Sequence, residues 1–405
     1  MHFTWDNGEN FLCHCGGNIW LAEKTCSIRP KVCRDLPKYG EIDGKSYCVL
    51  HFPSAGKVAD FIPVFAQRWE DENFDFRGVW FPCEINYGEI FAKDVDFSHA
   101  IFAGNVEFMC ATFAGKATFD DAEFRGFAAF ETSIFKAEAT FLGAKFSKDP
   151  SFFDVTFEKD VSFQDAEFYE SPNFHGAKFL SRAYFSLSKF LKGCFFGGAE
   201  FFDYAGFANI KFHENCSFDE TVFFDEADFG YSVFEGNSDV IFQYTEFKGK
   251  ADFRFAVVKG YFHLEGGDYK HYEGVSEGEE LVGEAKFTNL FENEADFIFM
   301  RTEDAKAITF YKTRLFPSWF VNVDLQKFKF IDCIWENCEA NEKNIENEIQ
   351  RLTEREISSP NHLLTIAYRN LADNAEKHNQ FEDSEKFRKM ATLSNNYKQY
   401  LYEPF

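Results

Sequence analysis

Phenylalanine stands at 91, 97, 102, 108, 113, 119, 124, 130, 135, 141, 146, 152, 157, 163, 168, 174, 179, 185, 190, 196, 201, 207, 212, 218, 223, 229 and 234, in steps that alternate six and five without a break. Two places before each ring there is most often a small or β-branched residue: Val95, Ala100, Val106, Ala111, Ala117, Ala122, Ala128, Ser133, Ala139, Ala144. A helix needs apolar positions near a 3.6-residue period, and steps of five and six smear around a helical wheel. An ordinary strand alternates every second residue, whereas here small-x-Phe makes one alternation and the pattern resets. Each unit is therefore a very short strand followed by a corner. With Phe and the small residue inward, the residue between them faces solvent, and Asp96, Glu107, Thr112, Thr118, Glu123, Lys145 and Lys178 suit that place.

A chain that turns the same way after every strand winds into a solenoid, in which equivalent rings stack and the backbones of successive coils pair. Isolated units should not fold alone, so both ends need covers. The small-x-Phe-x-x unit resembles the pentapeptide repeat family, in particular its Phe-rich, 11-residue, bacterial-type variant, over about 76–340. The resemblance implies a mainly β fold, a right-handed quadrilateral parallel β-helix with one five-residue face at a time. Here every second face carries an extra residue. Four faces then make a coil in which each Phe lies over the fourth Phe after it, as Phe113 would over Phe135.

The beat falters after Phe234 and resumes at Phe242, Phe247, Phe253 and Val258. The stretch "LEGGDYKHYEGVSEGEELVGE" (264–284) is polar and Gly-rich and reads as a loop excursion. Phe310, Leu315, Phe320, Leu325, Phe330 and Trp335 then run at a strict five. From 341 onward apolar residues fall at three- and four-residue spacing, which predicts helices broken at Ser358–Pro360, with Ile366, Leu371, Phe381 and Phe387 covering the exposed stack. The segment also resembles the helical tail of bacterial relatives. Three regions follow: an N-terminal Cys/His segment (1–75), the repeat (76–340) and a C-terminal helical cap (341–405).

Of the 405 residues 57 are Phe, so one local environment is repeated many times. The net charge of −25 opposes direct binding to nucleic acid or an anionic membrane, since both need a basic footprint. The N-terminus "MHFTWDNGENFLCHCGG" has neither the basic start nor the apolar core of a secretory signal, and no stretch is apolar enough for a membrane span. A soluble, cytoplasmic protein is expected, with its eleven Cys reduced or on metal.

In "CSIRPKVCRDLPKYGEIDGKSYCVLHF", Cys48-x2-His51 puts two soft ligands on one turn, and Cys26 and Cys33 upstream complete a Cys3His set that suits structural zinc. Unconnected thiols are the alternative, and Cys13, His14 or Cys15 could replace one of these ligands. "SYCVLH" also resembles a motif that precedes the repeat in bacterial relatives. A filled four-ligand site leaves no position for catalysis.

Between Lys211 and Lys248 there is no Lys or Arg, while Glu214, Asp219, Glu220, Asp225, Glu226, Asp228, Glu235 and Asp239 all occur. They offer a surface for a basic protein partner, set against a merely solvated face. Phosphate-loop, nucleophile-elbow and zinc-protease motifs are absent, so no catalytic residue is assigned. The expected function is a non-enzymatic protein–protein interaction scaffold. DNA mimicry directed at an enzyme such as gyrase is the second reading, an enzyme with its site outside the repeat the third. An uncovered end would pair two chains into a homodimer.

Overall fold

The computed structural model describes residues 36–235, 239–265, 290–291, 294–302 and 307–397. Its contacts divide the chain into two compact units, Met1–Gly206 and Phe207–Phe405.

In the first unit two-residue strands recur at most faces, with isolated parallel bridges at Ser151 and Asn173, and stack into four parallel sheets. One sheet pairs Phe102, Phe124, Phe146, Phe168 and Phe190 in register, each with the fourth Phe after it in the series. A second aligns Phe91, Phe113, Phe135, Phe157, Phe179 and Phe201 in the same way. The coil length read from the sequence is the observed one. Strand pairing at the usual ~4.8 Å spacing forces the rings into the same spacing: Phe113 and Phe135 stack at 4.4 Å and 4°, and Phe119 and Phe141 at 4.7 Å and 3°. Neighbouring columns meet edge to face, as Phe130 and Phe141 do at 5.5 Å and 88°. Offset-stacked and T-shaped contacts are the two geometries that aromatic quadrupoles favour. Every Phe of the series from 91 to 234 is buried, as are the alanines two places before.

The alternation of six and five has a local cause. Each five-step corner is a two-residue turn closed by a backbone bond, such as Ala122 N to Phe119 O at 3.1 Å. It puts the second residue after the Phe in the left-handed region: His99, Cys110, Asp121, Thr132, Gly143, Asp154, Asp165, Gly176, Leu187 and Gly198. Each six-step corner is longer. At four of these an Asp or Asn three places after the Phe accepts a backbone N–H from the next coil: Asp94 from Lys116 (2.8 Å), Asn105 from Phe127 (3.0 Å), Asp149 from Ser171 (3.1 Å) and Asp160 from Arg182 (3.3 Å). Part of the acidity of the chain is thus structural, since these side chains satisfy corner N–H groups that no ladder reaches. Gly126 sits at such a corner because a Cβ there would lie 2.6 Å from the backbone of Gly104.

The first coil is covered by helix α1 (Val58–Glu70), which the sequence reading did not distinguish within 1–75. Phe61 and Phe65, four apart on one face, pack edge-on against Phe81 at 5.7 and 5.6 Å. Lys57, before the helix, is buried, its ammonium donating to Val49 O and Leu50 O at 2.7 and 2.8 Å and lying over the Phe61 and Trp80 rings.

The second unit continues the same grammar with interruptions. Cys216 pairs with Val240 and Ala251 with Ala295, both further on than in the regular coils. Leu264 and Glu265, the first residues of the expected loop, still belong to the strand Tyr261–Glu265, while 266–284 lie outside the described residues. Where the sequence runs at a strict five the coil shortens to four equal faces, Ile308 pairing with Phe328 and Arg314 with Ile334.

Three helices follow: α2 (Glu342–Glu354), α3 (Pro360–Lys377) and α4 (Phe381–Asn396). They cover the last coil as expected. Leu371 and Phe387 are buried, and Phe387 meets Trp335 edge to face at 5.1 Å. Two expected members are corrected: Ile366 is only half-buried and Phe381 is 65% exposed, because Phe381 opens α4 beyond the edge of the coil, while Leu364 and Tyr368 fill the interface. Side chains of α3 and its C-terminal turn also donate to carbonyls of the turn Leu325–Lys327 and of the strand Phe328–Ile331, which lies at the edge of its sheet. Asn374 Nδ2 donates to Leu325 O (2.7 Å) and Phe328 O (3.1 Å), Lys377 Nζ to Gln326 O (2.9 Å) and Gln380 Nε2 to Phe330 O (2.8 Å). A helix that supplies donors to an otherwise open strand edge removes the template on which another chain could add.

Beneath α2, Glu348 is fully buried and accepts from Ser318 N at 2.8 Å and Asn337 Nδ2 at 2.7 Å. Burial holds its carboxyl above the ordinary range despite those donors. A raised acid stabilises the fold fully below its unfolded value and loses that contribution as pH rises through the folded one. Glu348→Gln should therefore raise the melting temperature relative to wild type by more at pH 8 than at pH 4, measured by calorimetry at both.

Candidate interaction surface and metal centre

The antiparallel hairpin Gly40–Ile42 with Lys45–Tyr47 delivers the chain into a tight turn in which His51 N and Phe52 N both donate to Cys48 O, at 3.2 and 2.9 Å. That turn points Cys48 Sγ and His51 Nδ1 at each other, 3.0 Å apart, with both residues buried. His51 Nε2 lies 3.0 Å from Arg77 O. A carbonyl only accepts, so Nε2 carries the proton and Nδ1 presents its lone pair to the sulfur. A metal-binding imidazole needs this tautomer, its outer N–H held by a carbonyl. Of the four expected ligands the structure brings these two together. Cys26 and Cys33, like Cys13, His14 and Cys15, lie outside the described residues. Among the described residues no three of His, Cys, Asp and Glu converge as a metal site.

Of the other described thiols, Cys83, Cys194, Cys216 and Cys338 are buried, while Cys110 is exposed beside Thr132 Oγ1 at 3.1 Å. Burial pushes Cys83 up to about 11, against the pull of Lys57, and Cys333 up to about 12. Both stay protonated at neutral pH and are poor nucleophiles.

The acidic run falls within the second unit, and the structure distributes it around a coil. Glu214 follows the strand Lys211–Phe212, Asp219 and Glu220 form the next corner, Asp225 and Glu226 the one after, Asp228 sits in the strand Ala227–Asp228, and Glu235 follows Val233–Phe234. Asp239 opens the strand Asp239–Gln243. Several are occupied: Glu226 takes Lys250 at 2.8 Å, and Glu235 takes Lys211 at 2.9 Å and Lys259 at 3.7 Å. Asp228 accepts from Gly230 N at 2.8 Å, and Asp219 from Gln243 N at 3.4 Å, its carboxyl raised by burial. Glu214, Glu220 and Asp225 are exposed. The linear run contains no Lys or Arg, yet bases arrive from adjacent coils, a neighbour relation visible only once the coil length is known.

Outward positions also form columns. In the first unit Glu123, Lys145, Glu167 and Lys189 stand in register, and Lys189 Nζ lies 2.7 Å from Glu167. Hydrogen bonds from Lys189 and Tyr169, with the charge of Lys145 further off, hold the Glu167 carboxyl below its ordinary range. In the second unit an external aromatic column, which sequence reasoning missed, joins Tyr231 to Phe255 (4.8 Å, 12°) and Phe255 to Phe299 (5.0 Å, 6°). All three occupy the left-handed corner, a costly conformation for bulky residues. No signal marked them, since the same corner elsewhere holds Asp, Asn, Gly or Leu.

Within this architecture residues 152–200 match the family model of pentapeptide repeats, in nine copies. That segment and the parallel coils around it define the class of protein: a mainly β parallel solenoid with pentapeptide repeats and a few C-terminal helices. No curated protein and no solved structure matches the chain. No helix among the described residues is long and apolar enough to cross a membrane.

Proposed function

We propose that the chain is a non-enzymatic scaffold for protein–protein interaction. The observation that carries this is the division of labour along the coils: the interior is filled by Phe, and ionisable columns such as Glu123, Lys145, Glu167 and Lys189 stand outside on a backbone fixed by inter-coil hydrogen bonds. Such a surface recognises by complementarity, without reorganisation. The exposed carboxylates Glu214, Glu220 and Asp225 favour a basic protein partner in the cytoplasm. Quantitative affinity capture should recover a partner with wild type and lose it with Glu214→Lys/Glu220→Lys/Asp225→Lys at unchanged melting temperature. Equal recovery by both baits would refute this surface.

DNA mimicry is the second reading, motivated by the net charge of −25. It is weakened by the lysines that neutralise Glu226 and Glu235. A supercoiling assay decides it, since no effect on gyrase at micromolar protein removes the idea.

We also infer a structural zinc ion on Cys48 and His51, completed by Cys26 and Cys33. The Nε2–H tautomer and the facing sulfur support it. Zinc would tie the segment to the hairpin and do no chemistry. Metal analysis of protein never exposed to chelator should give about one equivalent and Cys48→Ser well under half of that. Less than about half an equivalent in wild type would count against the site.

A further inference from the structure

Helices α3 and α4 enclose a dip of about 290 Å³ lined by Arg369, Arg388, Ala391, Thr392 and Asn395. Four of its five lining residues are polar or cationic, in a chain with 67 acidic residues against 42 basic ones, although carbon atoms contribute more of its surface than nitrogen and oxygen. Two ties fix its walls. On one side Thr365 Oγ1 meets Ser394 Oγ at 3.0 Å across the helix pair, and Ser394 Oγ meets Asn361 O at 3.2 Å. On the other, Arg388 is held by Glu376.

Arg369 stands between these ties, one turn after Thr365 on α3. It is exposed, and among the described residues no carboxylate lies within ion-pair distance of it, Asp373 one turn further on included. The hydroxyl of Thr392 donates to Arg388 O at 3.0 Å, so it serves as wall and not as donor. The donors left for a guest are the guanidinium of Arg369, the N–H groups of Arg388 turned away from Glu376, and the carboxamide of Asn395. Buried Ala391 forms an uncharged floor. Planar forks of this kind match the oxygens of a tetrahedral oxyanion. The volume, at the low end of small-molecule pockets, suits a single such group with a small substituent.

We propose that this dip binds a small molecule through a phosphate group, held between Arg369 and Arg388 with Asn395 as a further donor. The site lies on the helical cover and is independent of the scaffold surface. Isothermal titration of the full chain with inorganic phosphate and with pyrophosphate should give saturable binding of one equivalent. Arg369→Ala should weaken it about tenfold or more, the effect of one lost charge-assisted fork. Arg388→Lys, which keeps the pair with Glu376, should weaken it less, and both variants should melt with wild type. Absence of saturable binding at millimolar ligand, or an affinity for Arg369→Ala within about twofold of wild type, would overturn the proposal. So would competition by acetate at the same concentration, which would assign the dip to carboxylates.

Discussion

Phe141→Ala should destabilise the first unit by about 3–5 kcal/mol, the range for removing a buried aromatic from a core that cannot collapse around the gap. Phe141 is fully buried, stacked on Phe119 and Phe163 at 4.7 Å on either side, and met edge-on by Phe130 and Phe152 at 5.5 and 5.7 Å. The strands above and below are pinned by backbone pairing, so the cavity stays open. Truncation also removes stacking contacts that are worth more than area alone. Thr118→Ala, at an outward place between Ala117 and Phe119, should change stability by no more than about 0.5 kcal/mol. Denaturant midpoints of the two variants test inward against outward directly. Equal effects would mean that the ring is not where the register puts it.

Ending the chain after Ala340 should convert a well-behaved protein into one that associates. The truncation removes α2, α3 and α4, and with them the donors that Asn374, Lys377 and Gln380 present to the turn Leu325–Lys327 and the edge strand Phe328–Ile331, and the ring that covers Trp335. What remains is an apolar coil end bordered by free carbonyls, the combination that templates edge-to-edge pairing. Size-exclusion chromatography with light scattering should show the full chain at a discrete mass and the truncated one as large assemblies. The point variant Asn374→Leu isolates the polar part of the cover. It removes one donor from each of Leu325 O and Phe328 O, which keep Phe328 N and His378 Nε2 as partners, at a cost of about 0.5–1.5 kcal/mol per lost hydrogen bond.

Much of this architecture was legible because a single rule repeats. Once Phe113 and Phe135 are assumed equivalent, coil length, inward positions and even the shorter final coils follow from counting. The corners were less legible. Positive φ recurs every second corner at positions as different as Asp121, Leu187 and Tyr231, because the turn imposes the conformation and solvent accepts any side chain. The six-step corners carry a chemical signature, Asp94, Asn105, Asp149 and Asp160, which is hidden in an acidic composition until the neighbouring coil supplies the N–H. Helix α1 escaped because Pro63 breaks its pattern and only Phe61 and Phe65 are deeply buried.

The candidate sites divide in the same way. Cys48 and His51 were found by local spacing, and the structure adds what spacing cannot, a carbonyl that fixes the tautomer. The acidic run was also found by local counting, which does not show the bases that neighbouring coils bring to it. Glu226 and Lys250 are a full coil apart along the chain and 2.8 Å apart in space. In a solenoid, charge must be read down columns rather than along the chain.

A crystal structure of the full chain tests the central claim most directly. Phe113, Phe135 and Phe157 should lie ring over ring at 4.4 and 4.8 Å, inside coils that place Glu123, Lys145, Glu167 and Lys189 in one outward column. Rings found distributed along helices, or turned into solvent, would contradict the fold and every surface argued from it.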